Sequence, residues 1–266
     1  MSIRYIGALI VLISLSSCKE GKKNVAAVKS ASASKEVTAI HMKDTFGIKY
    51  ITGQFDPEEH ISFVEIPLKY ADREGMFLRK DALKDFIRMY DAAKTEGIQF
   101  QIRSATRNFE YQKGIWERKW DGVSILSDGV NAATDIDDDK ERALKILEYS
   151  SMPGTSRHHW GTDIDLNSFN NGWFEEGEGL QLYNWMLANA SFFGYCQPYT
   201  AKGEFRPNGY NEEKWHWSYM PVSRPLTNEA QDKLKNEMIS GFKGADQAVT
   251  IDVVSNYILG VNTKCK

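Results

Sequence analysis

Residues 156–165 read SRHHWGTDID, and some fifty residues later residues 213–217 read EKWHW. These two segments hold three of the five histidines in the chain, together with tryptophans and acidic residues. A catalytic zinc site takes three protein ligands from His, Asp or Glu and keeps one position open for water. In the first segment, a glycine-containing turn leads from a histidine into a short predicted strand, and the second segment also predicts a strand. The pattern predicts a metal site whose ligands are His158, Asp165 and His216.

Glu213 precedes His216 by three residues, so its carboxylate can stand beside a metal rather than bind it. A carboxylate in that position can move a proton from the attacking water to the leaving amine, as a general base does. The two segments together therefore hold the groups of a metallopeptidase, without an H-E-x-x-H motif. Either segment alone indicates much less, because a histidine between tryptophans is more often a packed core residue.

A family resemblance rests on three motifs that occur in the same order as in that family. The segment SRHHWGTDID matches the pattern S-x-H-x-x-G-x-A-x-D, and EKWHW matches E-x-W-H. Upstream, SATRNFEYQ at residues 104–112 looks like S-G-Y-R-S-x-x-x-Q, and PGTS at residues 153–156 looks like the approach to the first zinc histidine. Over about residues 75–220 the sequence resembles the zinc D-alanyl-D-alanine carboxypeptidases of the VanY type. These belong to a wider group with lysostaphin-type peptidases and the hedgehog signalling domain.

The resemblance implies one Zn²⁺ ion per chain, bound by the three residues named above, with Glu213 as the catalytic base. It also implies that Arg107 contacts the substrate, at its terminal carboxylate or at its scissile carbonyl. A planar guanidinium binds a carboxylate through two parallel hydrogen bonds, which suits that role. Gln112 and Ser156 would supply supporting polar contacts; the alternative is that they are ordinary helix-surface and turn residues.

The sequence departs from the family pattern at Asp163, where the family has a small residue. Successive side chains of a strand alternate between its faces, so Asp163 and Asp165 should share one face. Asp163 is then either a hydrogen-bonding partner of a ligand or a competing ligand. We expect His159 to point away from the metal and Arg103 to form a structural ion pair.

The N-terminus has the features of an export signal. Residues 1–17 read MSIRYIGALIVLISLSS, with a positive charge followed by an apolar run of secretory length. Leu15-Ser16-Ser17-Cys18 looks like a bacterial lipobox, which implies lipidation of Cys18 and anchoring to a membrane. The alternative is an ordinary signal peptide with an incidental cysteine. We expect residues 18–40, rich in Lys, Ser and Ala, to be a flexible tether, and residues 41–266 to be the peptidase domain.

Composition excludes several classes of protein. The chain has 266 residues, a formal net charge of -3 and 42% hydrophobic residues, so a nucleic-acid partner is not expected. A mean hydropathy of -0.46 excludes a polytopic membrane protein.

Beyond the lipobox the chain has two cysteines, Cys196 and Cys265. In an exported protein these could form a disulfide, although two free thiols remain the alternative.

Mixed helices and short strands without βαβ regularity predict an α+β fold. We expect a single domain, with a small central antiparallel sheet flanked by helices, like that of the hedgehog and DD-peptidase group.

Acidic residues 135–139 fit the start of a helix better than a calcium loop, because the EF-hand spacing is missing. The predicted helices and strands span residues 79–96, 98–102, 108–120, 162–166, 178–190 and 214–219, with one more helix from about residue 226.

Taken together, these features predict a monomeric, membrane-anchored lipoprotein of the bacterial cell envelope, facing the periplasm or the exterior. The expected activity is zinc-dependent hydrolysis of a D-Ala-D-Ala bond in peptidoglycan stem peptides. Three alternatives stay open: an endopeptidase that cuts a cross-bridge or an L-Ala–D-Glu bond, a metal-containing binding module without hydrolytic activity, and a metal-dependent hydrolase of another substrate.

Overall fold

A four-stranded antiparallel sheet carries the segments that the sequence singled out. The computed structural model describes residues 46–266, so the expected signal peptide, Cys18 and the tether lie outside the described residues. The strands are β1 (Phe63–Glu65), β2 (Phe77–Arg79), β3 (Ile102–Ser104), β4 (Asp163–Leu166), β5 (Tyr195–Cys196) and β6 (His216–Tyr219). The main sheet has the strand order β3-β4-β6-β5, and β1 and β2 form a separate antiparallel pair.

Helices surround this sheet, and the predicted α+β class is confirmed. They are α1 (Ile48–Ile51), α2 (Lys80–Thr95), α3 (Phe109–Trp120), α4 (Ala132–Asp135), α5 (Asp139–Ile146), α6 (Gly177–Asn189), α7 (Met220–Lys233) and α8 (Gln247–Ile251). Shorter 3₁₀ turns join them, including one over Arg157–Trp160. No helix in residues 46–266 is both long and apolar enough to cross a bilayer.

The helix predictions rest on the spacing of apolar residues and on capping side chains, and the structure shows both. In α2 the buried residues include Leu83, Phe86 and Met89, which recur at helical spacing and pack on the sheet. Helix α3 begins after Asn108, whose side chain accepts a hydrogen bond from the Tyr111 backbone N–H, as an N-cap does. The acidic run is a helix start, as expected, because the Asp138 side chain caps α5 in the same way.

Two predicted elements differ from the observed ones. The predicted strand at 98–102 is wrong, since β3 begins only at Ile102. Its partner β4 ends at Leu166, and Asn167 then takes a left-handed conformation with φ of 57°. The Asn167 side chain pairs with the Gln99 and Gln101 backbone in place of a further strand.

The tail helix begins about six residues before the predicted start. Helix α7 starts at Met220, directly after β6, with a proline in its first turn. Proline suits this position because its fixed φ matches the helix and its missing N–H has no partner there anyway. The apolar segment further on forms α8 and a π-helical turn over Val254–Ile258.

Strand alternation divides β4 between the core and the site. Ile164 and Leu166 lie fully buried in the hydrophobic cluster that α2 and α6 share with the sheet. Asp163 and Asp165 alternate with them and so project from the other face. Register then places His216 opposite Asp165, and Ser218 opposite Asp163. The sheet therefore sets the acidic residues of the first motif against the histidine of the second.

A disulfide closes the C-terminal part of the chain. It joins Cys196 in β5 to Cys265, whose Cα atoms lie 5.7 Å apart and which are separated by 69 residues in the sequence. The bond ties the end of the chain to the edge of the main sheet, because β5 is the last strand in the order.

Candidate metal centre and active-site cavity

The structure brings together the three side chains predicted to bind a metal. Each of His158, Asp165 and His216 offers one ligand atom, and these atoms lie within 4.8 Å of one another. Their side chains are only 3%, 4% and 3% exposed. The first comes from the 3₁₀ turn, the second from β4 and the third from β6. A turn and two adjacent strands thus supply a site whose residues span almost sixty positions of the sequence.

Gly161 makes the link between the 3₁₀ turn and β4. Its φ is +69°, and a Cβ atom built there would stand 2.2 Å from Phe63 Cε1. A larger residue would therefore be strained in its backbone and would also overlap a neighbour. The motif glycine is required because the chain must reverse between His158 and Asp165 within a few residues.

Hydrogen bonds on the far side of each imidazole orient the ligand nitrogens. His158 Nδ1 lies 2.8 Å from the Ala105 carbonyl oxygen and donates to it, which leaves Nε2 as the lone-pair nitrogen. His216 Nε2 lies 2.8 Å from Asp163 Oδ2, which leaves Nδ1. These two free nitrogens lie 3.2 Å and 3.1 Å from oxygens of Asp165. Such outer partners are what fix the tautomer and direction of metal-binding histidines.

The cluster has the donor set and the unmet bonding of a cation site. His158 Nε2 and Asp165 Oδ1 are buried, and no hydrogen bond of acceptable angle reaches either atom. Buried polar atoms are normally hydrogen-bonded, so two such atoms at one point need a common partner. Two imidazole nitrogens and a carboxylate are the ligand types of zinc. The residues present therefore fit a zinc ion.

Electrostatics at the cluster also favour a cation. Burial raises the pKa of Asp165, but His158 and His216 outweigh that effect and hold it well below its usual range. Burial lowers the pKa of His216, but the neighbouring carboxylates of Asp163, Asp165 and Glu213 favour its charged form and raise the pKa well above the usual value. Two of these carboxylates, Asp165 and Glu213, face His216 Nδ1, on the side of the ring away from Asp163, and a divalent cation can take the place of a proton there. The pKa of His158 is lowered by burial and by Arg107, which keeps its imidazole neutral.

Asp163 is a partner of His216 in this structure. Its fully buried carboxylate accepts hydrogen bonds from Arg157 Nε at 3.2 Å, Thr162 Oγ1 at 2.6 Å and Ser218 Oγ at 2.7 Å, in addition to the one from His216. With both oxygens engaged, Asp163 lies behind the imidazole and holds it. Of the two alternatives that the sequence left open, the geometry matches the partner and not the competing ligand.

Glu213 lies beside the three predicted ligands on the cavity wall. Its Oε2 is 3.3 Å from His216 Nδ1. Its backbone N–H donates to the Tyr199 carbonyl, and its own carbonyl accepts a hydrogen bond from the Gln197 amide. Burial raises the pKa of Glu213, while His216 opposes the effect. The structure thus sets a buried carboxylate, anchored through its backbone, next to the cluster.

Arg107 also reaches the cluster. Its Nη1 donates to Ser104 Oγ at 2.9 Å and lies 3.7 Å from Asp165 Oδ2, while its buried Nε has no hydrogen-bond partner among the described residues. Arg103, four residues earlier, forms an ion pair with Asp72 at 2.6 Å, as the sequence predicts. Only Arg107 of these two arginines lines the cavity.

Gln112 and Ser156 are placed differently from the expectation. Both are buried, and neither lies on the wall of the cavity. Gln112 Nε2 instead donates to the Ser151 carbonyl and so fixes the backbone of a wall segment.

His159 points away from the cluster, as expected: its Nε2 accepts from the Gly154 N–H, and its Nδ1 donates to the Arg107 carbonyl. Burial lowers the pKa of His159 to about 3.

A cavity of about 730 Å³ opens onto the cluster. This volume falls within the range of small-ligand pockets. Its wall includes residues that the sequence analysis missed, among them Ile115, Lys119, Ser150, Tyr149, Tyr199 and Tyr210. The Tyr199 ring lies 4.6 Å from the His216 ring, centre to centre. These residues carry no local motif, and only the way that α3 and the loops pack against the sheet brings them to the site.

Comparison with known proteins gives relatives that include two proteins named as carboxypeptidases. The carboxypeptidase-named protein YodJ of Bacillus subtilis (strain 168) is 26% identical over 174 residues, which is 64% of this chain and 56% of YodJ. A D-alanyl-D-alanine carboxypeptidase of Enterococcus faecalis (strain ATCC 700802 / V583) is 26% identical over 135 residues, which is 50% of this chain and 45% of that protein. This chain therefore spans about half the length of these curated relatives.

Among solved structures, the chain is similar to VanYB in complex with D-alanine-D-alanine, with a TM-score of 0.47 and 21% identity over 67% of this chain and 86% of that one. It is also similar to the LdcB LD-carboxypeptidase, with a TM-score of 0.49 and 21% identity over 68% and 76%. The family model described as VanY, D-alanyl-D-alanine carboxypeptidase, matches residues 75–222. That match takes in more than half of the sequence and every residue of the cluster, so the chain belongs to the VanY family of D-alanyl-D-alanine carboxypeptidases.

Proposed function

We propose that this chain is a zinc-dependent carboxypeptidase that removes the terminal D-alanine from peptidoglycan peptides ending in D-Ala-D-Ala. The observation that carries the proposal is the meeting of His158 Nε2, Asp165 and His216 Nδ1 within 4.8 Å, beside the Glu213 carboxylate. Membership of the family and the name of the Enterococcus faecalis relative support this substrate class.

The zinc would be held by His158, Asp165 and His216. When bound, zinc supplies Lewis-acid chemistry, since it lowers the pKa of water and polarises a carbonyl group. Asp163 keeps the His216 imidazole in the tautomer that presents Nδ1. Such outer hydrogen bonds hold ligands in place before the substrate arrives, so little reorganisation is needed during the reaction.

Glu213 is the group that moves the proton. Its carboxylate accepts a proton from the water that attacks the scissile carbonyl carbon, and it then delivers that proton to the nitrogen of the leaving D-alanine as the C–N bond breaks. Burial raises the pKa of this carboxyl group, which makes it a better base than an exposed glutamate. Arg107, whose Nη1 lies 3.7 Å from Asp165 Oδ2, would stabilise the negative charge that develops on the carbonyl oxygen.

The test compares zinc-loaded wild-type protein with the Glu213→Gln variant on purified muropeptides, with the products identified by mass spectrometry. Removal of a general base typically costs about 10²–10⁴-fold in rate, so we expect turnover to fall by at least about 10²-fold while zinc content is unchanged. Glu212→Gln is the matched control, because this neighbouring glutamate is not part of the cavity wall, and it should retain full activity. Undiminished turnover in Glu213→Gln would refute the mechanism, and products cut at an internal bond would identify an endopeptidase instead.

We also propose that the protein works as a lipoprotein anchored through Cys18. The support is the sequence Leu15-Ser16-Ser17-Cys18 after an apolar segment of secretory length. Anchoring in the envelope would hold the enzyme close to its peptidoglycan substrate. Metabolic labelling with an alkyne fatty acid should label the wild-type protein and not a Cys18→Ser variant, whereas equal labelling of both would contradict the proposal.

A further inference from the structure

Lys119 is a cation of the cavity for which the family motifs give no role. It lies in α3 at the fourth position after Ile115, so both side chains emerge from the same helix face, and both line the cavity. The Lys119 ammonium group donates a hydrogen bond to the Ser150 hydroxyl, which also lies on the wall.

The other two cations of the cavity have carboxylate neighbours, whereas Lys119 has none within ion-pair distance among residues 46–266. Arg107 lies 3.7 Å from Asp165 Oδ2. Lys145 pairs with Asp128 at 2.6 Å and with Glu148 at 2.9 Å. The wall thus presents one positive charge that no acidic side chain of the described protein neutralises at contact distance.

The surroundings of Lys119 make that charge costly. Burial lowers the pKa of its ammonium group, and Arg107 lowers it further, while Glu213 acts in the opposite direction. Arg107 and Glu213 are residues of the candidate active site, so the charges of that site act on the Lys119 ammonium group. A charged group that is partly buried is stabilised when a ligand of opposite charge binds beside it. The ligand that fits such a position is an anion that enters the cavity together with the scissile bond.

We propose that Lys119, together with the Ser150 hydroxyl, binds the terminal carboxylate of the substrate peptide. The inference rests on the proposed function and assigns the residue that makes the enzyme an exopeptidase. Arg107 then remains available for the scissile carbonyl, because it lies next to the metal ligand Asp165. The resemblance implies that Arg107 contacts the terminal carboxylate or the scissile carbonyl, with Gln112 and Ser156 as supporting contacts. Gln112 and Ser156 lie off the cavity wall, whereas Lys119 lies on it.

The experiment uses two substrates that differ only at the C-terminus: an acylated peptide ending in D-Ala-D-Ala with a free carboxylate, and the same peptide as a carboxamide. For the wild type we expect kcat/KM to be about 10- to 100-fold higher for the free acid, as suits one charge-assisted hydrogen bond in a desolvated site. In Lys119→Met this preference should disappear through a higher KM for the acid, with kcat little changed. Lys119→Arg should restore most of it.

Lys145→Met is the matched control, because Lys145 is a lysine of the same cavity whose charge Asp128 and Glu148 already neutralise. It should keep the wild-type preference for the free acid. A Lys119→Met variant that discriminates like the wild type would overturn the inference even if the enzyme is an active carboxypeptidase.

A binding measurement separates this inference from the proposed function. Calorimetric titration of the zinc-loaded Glu213→Gln protein with the same two peptides needs no turnover. We expect tighter binding of the free acid, and loss of that preference when Lys119→Met is added. Equal affinity for both peptides before Lys119 is changed would overturn the inference, whereas a lack of hydrolysis by the wild type would refute only the proposed function.

Discussion

Replacing Asp163 by asparagine removes one negative charge from the buried network behind His216 and changes the side-chain volume very little. The carboxylate accepts hydrogen bonds from Arg157, Thr162, Ser218 and His216. An asparagine keeps one acceptor oxygen and turns the other position into an NH₂ donor. Arg157 Nε and His216 Nε2 both donate to Oδ2, so the amide oxygen can stay there and accept from both, with the NH₂ group facing the Thr162 and Ser218 hydroxyls. The two hydroxyl groups then lose their acceptor, and the buried Arg157 guanidinium loses its negatively charged partner in Asp163→Asn.

The magnitude follows from burial. The Arg157–Asp163 pair is 0% exposed on both sides, and breaking a buried pair by removing one partner costs about 3–5 kcal/mol of unfolding free energy. Because asparagine keeps part of the hydrogen bonding, we expect a loss near the lower end, about 3 kcal/mol. The His216 Nε2–H also donates to a neutral amide oxygen in place of a carboxylate, and mutation of such an outer partner typically weakens metal binding by about 10–100-fold.

Two measurements check this prediction: urea unfolding of the metal-free proteins, and zinc affinity by competition with a chromophoric chelator. Asp121→Asn is the matched control, since Asp121 forms a two-pronged ion pair with Lys243, but the side chains of both partners are exposed, at 39% and 54%, and Asp121 lies off the cavity wall. It should alter stability by less than about 1 kcal/mol and leave zinc affinity unchanged. If Asp163→Asn matched this control in both measurements, the argument that Asp163 holds His216 would be refuted.

Two further changes test the fold around the site. Gly161→Ala should destabilise the protein by about 3 kcal/mol in urea unfolding, since left-handed strain of about 1–2 kcal/mol adds to the overlap with Phe63. Gly97→Ala, at a similar positive φ with open space around it, should cost only the strain, so equal losses at both positions would contradict the packing argument. Replacing both Cys196 and Cys265 by serine should lower the unfolding free energy by about 4 kcal/mol for a loop of 69 residues; a change below about 1 kcal/mol would count against a stabilising role for the bond.

Much of the local structure could be predicted because its causes are local. The helical spacing of α2 and the Asn108 cap of α3 lie within a few residues of the structures that they produce. The same holds for the turn at Gly161, which the motif glycine indicates. The strand expected at 98–102 was wrong because its pairing is decided elsewhere, by the left-handed backbone of Asn167 at the end of the neighbouring strand.

The cluster could be predicted and the cavity could not, for a physical reason. Metal ligands must be of a few residue types at restricted spacings, so His158, Asp165 and His216 leave a pattern in the sequence. The residues of a cavity wall are not restricted in type or spacing. In the sequence, Lys119 therefore looks like any other charged residue of an amphipathic helix. The role of Asp163 was left open for a related reason: alternation gives its face of the strand, but only the register of β4 against β6 places it behind His216.

Zinc binding by the purified protein is the most direct test of the central claim. Native mass spectrometry after zinc loading and desalting should find one zinc ion per chain, and none in a protein carrying His158→Ala, Asp165→Ala and His216→Ala together. Circular dichroism would establish that this variant is folded. A wild-type chain that retains no zinc, or a folded triple variant that retains as much as the wild type, would contradict the account.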